Sequence, residues 1–222
     1  MIIVALDVES ADQARAIVNS LGDAASFYKV GLELVASAGP DFVRELKSRG
    51  HRVFLDLKLY DIGETVRRAV AQIARSGADF LTIHSTRQVV RAAVEGRGDS
   101  HLKLLAVTVL TSVDDADLIE DGFSKTVREM VALRARNAIE DGADGLICSA
   151  LDLKQVRAIA PNAILVTPGV RSAGARANDQ KRVATPAEAI LNGANYLVIG
   201  RQITRAPDPR AELLRIRAEI AR

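Results

Sequence analysis

Charged and hydroxyl residues stand at the ends of apolar runs along this chain: Asp7, Lys29, Asp56 with Lys58 and Asp61, His84, and Thr111 with Ser112. Within Phe54-Leu-Asp-Leu-Lys-Leu-Tyr-Asp-Ile62, a strand period of two puts Asp56 and Lys58 on one face and turns Leu55 and Leu57 to the other. Lys29, in Phe27-Tyr-Lys-Val-Gly31, ends the preceding run and reaches the same space, so that acid and ammonium alternate there. Crowding such charges out of water is costly when they have no task. An ammonium held beside carboxylates can stabilise negative charge that develops on a substrate and then deliver a proton. A second group is basic. Arg171, Arg176, Gln180, Lys181 and Arg182 follow the seventh run, and Arg201 follows Gly200 at the end of the eighth. Guanidinium forks in loops of this kind suit a phosphate dianion.

The elements that must position these groups repeat. Short runs rich in β-branched residues recur at 2–8, 27–32, 52–58, 80–84, 103–110, 145–150, 163–168 and 196–200. Between and after them lie amphipathic segments, at roughly 11–21, 40–49, 62–76, 86–95, 124–141, 152–159, 186–193 and 208–221. The runs alternate little, as strands buried on both faces do. Gly77-Ala-Asp79, Gly142-Ala-Asp144 and Gly193-Ala-Asn195 stand just before three of them. Glycine there supplies the left-handed residue that ends a helix, and small residues permit a tight turn into the next parallel strand. Eight such units in 222 residues predict an α/β fold, a single-domain (β/α)8 TIM barrel over residues 1–222. An open doubly wound sheet would need no eighth strand, and Asp7-Val-Glu-Ser10 follows the first run in place of a Gly-x-Gly-x-x-Gly turn. Segments 111–123 and 170–185 read as long irregular loops after strands five and seven, on the face where barrels carry their active sites.

Composition narrows the partners. Lys and Arg number 30 against 28 Asp and Glu, and this near-balance gives no general case for nucleic acid or a membrane surface. The apolar stretches are far shorter than the ~18 residues of a bilayer span, and no membrane span is expected. The first residues lack a basic region and meet Asp7 within the apolar run, so no secretory leader is expected either. Cys148 is the single cysteine. It excludes an intrachain disulfide, reads as a small buried hydrophobe within Gly145-Leu-Ile-Cys-Ser-Ala150, and fits a cytoplasmic location.

These motifs resemble those of the orotidine 5′-phosphate decarboxylases of bacterial type, enzymes of pyrimidine synthesis that make UMP. Asp56-Leu-Lys-Leu-Tyr-Asp-Ile62 is similar to the family's Asp-x-Lys-x-x-Asp-Ile signature, and Tyr28-Lys-Val-Gly31 to its lysine strand. Thr167-Pro-Gly-Val-Arg171, Asp179-Gln-Lys-Arg182 and Thr185-Pro186 resemble its phosphate loop, and Ile199-Gly-Arg201 its last strand. The likeness runs through essentially the whole chain, in order and with matching spacing. It departs at His84-Ser-Thr-Arg-Gln88, where many members have His-Ala-x-Gly-Gly.

The resemblance implies decarboxylation of orotidine 5′-monophosphate to UMP, the last step of de novo pyrimidine nucleotide biosynthesis, with no cofactor and no metal. By it, Lys29, Asp56, Lys58 and Asp61 form the charged array, and Asp7 and Lys29 contact the ribose hydroxyls. Asp61, with Ile62 and Thr65, reaches the neighbouring subunit's site, which implies a homodimer. Thr111 or Ser112 contacts the pyrimidine, while Arg171, Gln180 and Arg201 hold the phosphate. The alternative is a magnesium-dependent sugar-phosphate aldolase or decarboxylase of the same superfamily, which shares the Asp-x-Lys-x-x-Asp motif but carries a metal-binding acid where this chain has Lys29. A catalytically silent nucleotide-binding barrel would have no need to keep all four charged positions.

Overall fold

All eight apolar runs become strands, and the computed structural model, which describes residues 1–172 and 184–221, closes them into one parallel barrel. In order they are β1 (Ile2–Ala5), β2 (Phe27–Gly31), β3 (Arg52–Leu59), β4 (Phe80–His84), β5 (Lys103–Val107), β6 (Gly145–Ile147), β7 (Ile164–Thr167) and β8 (Tyr196–Ile199). β8 pairs back onto β1, Ile3 beside Val198. The helices among the described residues are α1 (Ala11–Leu21), α2 (Leu32–Ala38), α3 (Asp41–Ser48), α4 (Gly63–Arg75), α5 (Arg87–Arg97), α6 (Asp115–Glu120), α7 (Val127–Glu140), α8 (Leu153–Ile159), α9 (Pro186–Leu191), α10 (Arg201–Thr204) and α11 (Pro209–Ile220).

Alternation along each strand sorts two apolar layers. Ile3, Phe27, Phe54, Phe80, Leu105 and Val166 fill the barrel interior. Their neighbours Val4, Tyr28, Leu55, Leu81, Leu104 and Leu165 pack outward under the helices. Both faces being apolar, hydropathy hardly alternates although geometry does. The N-terminal end of the barrel is closed by Arg52, whose guanidinium lies 4.1 Å from the Phe27 ring centroid, and Phe27 meets Phe80 edge-on at 5.1 Å.

The repeated Gly-Ala-Asp or Gly-Ala-Asn turns do two things. Gly77, Gly142 and Gly193 take φ of 78, 95 and 106°, the left-handed region that glycine enters without penalty. The polar residue two places on then caps the strand before it. Asp79 accepts from Val53 N–H at 2.8 Å, Asp144 from Leu104 N–H at 3.0 Å, and Asn195 from Leu165 N–H at 2.8 Å.

Several strands end sooner than their apolar runs. β1 stops at Ala5, β5 at Val107 and β6 at Ile147, while Leu6, Val109 and Cys148 beyond them remain buried. Apolar content reports burial and is blind to where ladder pairing stops. Three helices, α2, α6 and α10, also stand where none is expected. Each has two turns or fewer, too short for a helical period to emerge from the sequence. α6 turns part of the 111–123 loop helical, opened by a capping box in which Asp114 and Asp117 each accept from the other's backbone N–H.

Candidate active site

The strand ends at the C-terminal mouth bring four charges into one line. Lys29, on β2 and only 7% exposed, donates from Nζ to Asp7 Oδ1 at 2.7 Å and lies 3.4 Å from Asp56 Oδ2. Lys58 Nζ donates to the other Asp56 oxygen, Oδ1, at 2.8 Å. The order is therefore acid, ammonium, acid, ammonium. Burial alone would push the Asp56 carboxyl up, but the ammoniums of Lys29 and Lys58 and hydrogen bonds from Lys58 and Thr82 outweigh it and hold Asp56 below the usual carboxylate range. The Lys58 side chain, 38% exposed, is the member of the Asp56–Lys29–Lys58 cluster most open to the cavity.

Strand alternation is right about the shared face and wrong about the backbone. Between its pairings with β4, β3 advances from Leu55 to Leu59 while β4 advances only from Leu81 to Ile83. This bulge puts Lys58 at φ 48°. Its N–H donates to Thr82 Oγ1 at 2.9 Å, and Thr82 Oγ1 donates to Asp56 Oδ1 at 2.9 Å. Thr82 was readable as the one polar residue between Phe80 and His84 at the inward period, yet nothing in the sequence pairs it with Asp56.

The array borders a cavity of about 670 Å³ at the C-terminal mouth. Phe54, Val107 and Val198 line its apolar part, Thr111 and Ser112 enter from the loop after β5, and Arg171, Gly200 and Arg201 border it from the loops after β7 and β8. Arg171 is 8% exposed, and its backbone N–H donates to Ala184 O at 3.0 Å, closing the base of the loop. Gln180, with Arg176, Lys181 and Arg182, lies outside the described residues. Two further residues that the sequence does not single out tie the loop bases together. Gln202 Nε2 donates to Ser172 Oγ at 2.9 Å and to Glu212 Oε1 at 2.9 Å, and Ser172 Oγ donates to Glu219 Oε2 at 2.6 Å. Arg171 and Arg201, one residue before each partner, are thereby referenced to α11.

Asp61 is not brought into this line within the chain. It is exposed, its Oδ1 accepts from Ile62 N–H at 2.7 Å, and it does not border the cavity. Ile62 and Thr65 are exposed beside it, and Ile62 and Tyr60 are 69% and 67% accessible. The turn after β3 carries the chain outward, so a spacing of three residues from Lys58 does not place Asp61 beside it. His84 also stays out of the cavity, stacked on Tyr60 with ring centroids 4.4 Å apart. Burial, and then the nearby Arg134 charge, push its imidazole below the usual value. Cys148 is fully buried, as a small hydrophobe.

Residues 1–216 match the profile of the orotidine 5′-phosphate decarboxylase / HUMPS family. The chain is 51% identical over 221 residues to an orotidine 5′-phosphate decarboxylase of Rhodopseudomonas palustris (strain HaA2), covering 99% of this chain and 94% of the relative. It is 51% identical over 225 residues to that of Caulobacter vibrioides (strain NA1000 / CB15N), covering 99% and 97%. The crystal structure of orotidine 5′-phosphate decarboxylase from Lactobacillus acidophilus superimposes with a TM-score of 0.87 at 37% identity, over 100% of this chain and 99% of that one.

Proposed function

We propose a single reaction for this chain, which belongs to the orotidine 5′-phosphate decarboxylase / HUMPS family: loss of CO2 from orotidine 5′-monophosphate to give UMP, without a cofactor. The chain is a carboxy-lyase of the last step of de novo pyrimidine nucleotide biosynthesis. The observation that carries the cofactor-free mechanism is the alternation of Asp7, Lys29, Asp56 and Lys58, in which the Lys29 ammonium occupies the space between two carboxylates.

Breaking the bond from the ring to the carboxylate leaves its electron pair on the ring carbon while CO2 departs. Lys58, at the cavity surface, stabilises that charge electrostatically and then transfers a proton from Nζ to the carbon. Water reprotonates the amine, which is partly open to solvent. Asp56, held ionised, lies near the departing carboxylate and raises the energy of the bound ground state more than that of the transition state. Asp7 and Lys29 hold the ribose hydroxyls. Thr111 or Ser112 contacts the pyrimidine, and Arg171, Gln180 and Arg201 take the phosphate, remote binding energy that fixes the reacting geometry.

Asp61, Ile62 and Thr65 serve the neighbouring subunit's site, making the enzyme a homodimer. Their exposure, next to an array that ends at Lys58 within its own chain, supports this. Among the described residues no helix is long and apolar enough to cross a membrane, and a biosynthetic role on a soluble nucleotide with one buried thiol accords with the cytoplasm. The near-balanced net charge accords with a small-molecule partner and no nucleic acid.

Incubation with orotidine 5′-monophosphate in excess chelator, followed by pyrimidine absorbance and CO2 release, tests the reading. Turnover unaffected by the chelator is expected. Turnover lost on chelation and restored by magnesium would contradict the cofactor-free mechanism, and absence of CO2 release with or without magnesium would move the assignment to the metal-dependent sugar-phosphate reactions.

A further inference from the structure

We propose that Thr82 is a positioning residue for this reaction, its hydroxyl setting the direction from which the Lys58 ammonium meets the reacting carbon. The inference rests on the decarboxylation reading above. Three hydrogen bonds close a ring: Lys58 N–H to Thr82 Oγ1 at 2.9 Å, Thr82 Oγ1 to Asp56 Oδ1 at 2.9 Å, and Lys58 Nζ to that same Oδ1 at 2.8 Å. A hydroxyl has one proton to give and lone pairs to receive, and Thr82 uses both capacities. Each end of Lys58 is thus referenced to one oxygen, the main chain directly and the ammonium through Asp56.

The backbone creates the need. Lys58 is the one residue other than glycine with positive φ among the described residues. Side-chain-bearing residues hold that conformation only where their surroundings enforce it. The bulge takes Lys58 out of register with β4, and a side chain of β4 meets its N–H in place of a strand carbonyl. Thr82 is itself fully buried and paired in register with Leu105 of β5, so the anchor is stiff. It does not border the cavity and has no direct contact with substrate to lose. Without its hydroxyl, Lys58 N–H and one Asp56 lone pair lose their partner, and the lysine loses what fixes its left-handed backbone. A displacement of about 1 Å in a catalytic group is enough to cost on the order of 10²-fold in rate.

Two pairs of variants isolate the hydroxyl: wild type against Thr82→Val, and Thr82→Ser against Thr82→Ala. Thr82→Val keeps the branched shape, and its kcat for orotidine 5′-monophosphate is expected to fall about 10- to 100-fold with KM within about threefold. Thr82→Ser restores the hydroxyl and is expected within about threefold of wild-type kcat. A purely structural role would lower the melting temperature and leave kcat per folded molecule unchanged. Wild-type kcat in Thr82→Val, or equal losses in Thr82→Val and Thr82→Ser, would overturn the inference. If Thr82→Val does not fold, the Ser and Ala pair carries the same comparison, and equal kcat in those two overturns it. A wild-type chain that releases no CO2 sinks the decarboxylation reading and this inference with it, whereas an active wild type with an unimpaired Thr82→Val sinks this inference alone.

Discussion

The two ends of the barrel use the same residue types to opposite ends. At the N-terminal end, Asp79, Asp144 and Asn195 each spend an oxygen on a backbone N–H of the preceding strand. Cations close over them: Lys47 on Asp79, Arg97 and Lys103 on Asp144, Arg157 on Asn195. At the C-terminal end, Asp7, Lys29, Asp56 and Lys58 bond chiefly to one another and border a cavity. Where charges satisfy the chain they stabilise it, and where they are held side by side without such work they are left for a ligand.

The sharpest way to break this comparison is to delete one charge at each end. On the proposed mechanism, Lys58→Ala removes both the electrostatic stabilisation and the proton donor. kcat/KM is expected to drop by about 10⁴-fold or more, while calorimetry shows Tm shifted by less than about 3 °C. A large loss of stability alongside the lost activity would assign Lys58 to the scaffold instead.

Arg201→Ala probes the mouth away from the chemistry. We expect kcat/KM for the nucleotide to fall about 10²-fold and that for the phosphate-free nucleoside to change by about threefold or less, because a phosphate contact acts only when phosphate is present. Equal losses on both substrates would remove Arg201 from the phosphate site. Asp144→Ala is the counterpart at the other end. It strips Leu104 N–H of its acceptor and leaves Arg97 and Lys103 without their carboxylate. Tm should fall by about 3–10 °C, with kcat/KM per folded molecule preserved within about twofold. Lost catalysis at wild-type Tm would contradict the division between the ends.

The sequence makes the two ends legible to different degrees. Eight strands stand out because a run such as 104–107 is apolar on both faces, and Lys29, Asp56 and Lys58 stand out because charges are costly in such runs. The N-terminal clamps are half visible. Gly77, Gly142 and Gly193 announce a turn, but that Asp144 accepts from Leu104 depends on β5 and β6 lying side by side. The same limit hides Thr82, whose partners come from β3, and the Ser172–Gln202 bond, which joins the loops after β7 and β8. The left-handed backbone at Lys58 follows from register with β4, which no local pattern encodes, and α6, though opened by a local capping box, is too short for a helical period to emerge. Asp61 is placed in the array by family resemblance, and the turn after β3 that carries it outward in its own chain is not legible from a spacing of three residues.

The contrast between a closed end and an open one is tested most directly at Asp61, which on the proposed reading completes the open end of a second subunit. Lys58→Ala and Asp61→Ala chains, each nearly inactive alone, would be mixed, unfolded and refolded together, and mixed dimers confirmed by mass spectrometry. In a mixed dimer the site that keeps Lys58 receives an intact Asp61 from the partner, and the other site lacks both. With random pairing about half the dimers are mixed and one of their two sites works, so recovery should approach roughly a quarter of wild-type activity. If Asp61 serves its own barrel, every site lacks one residue, and mixed dimers without any recovered activity would contradict the account.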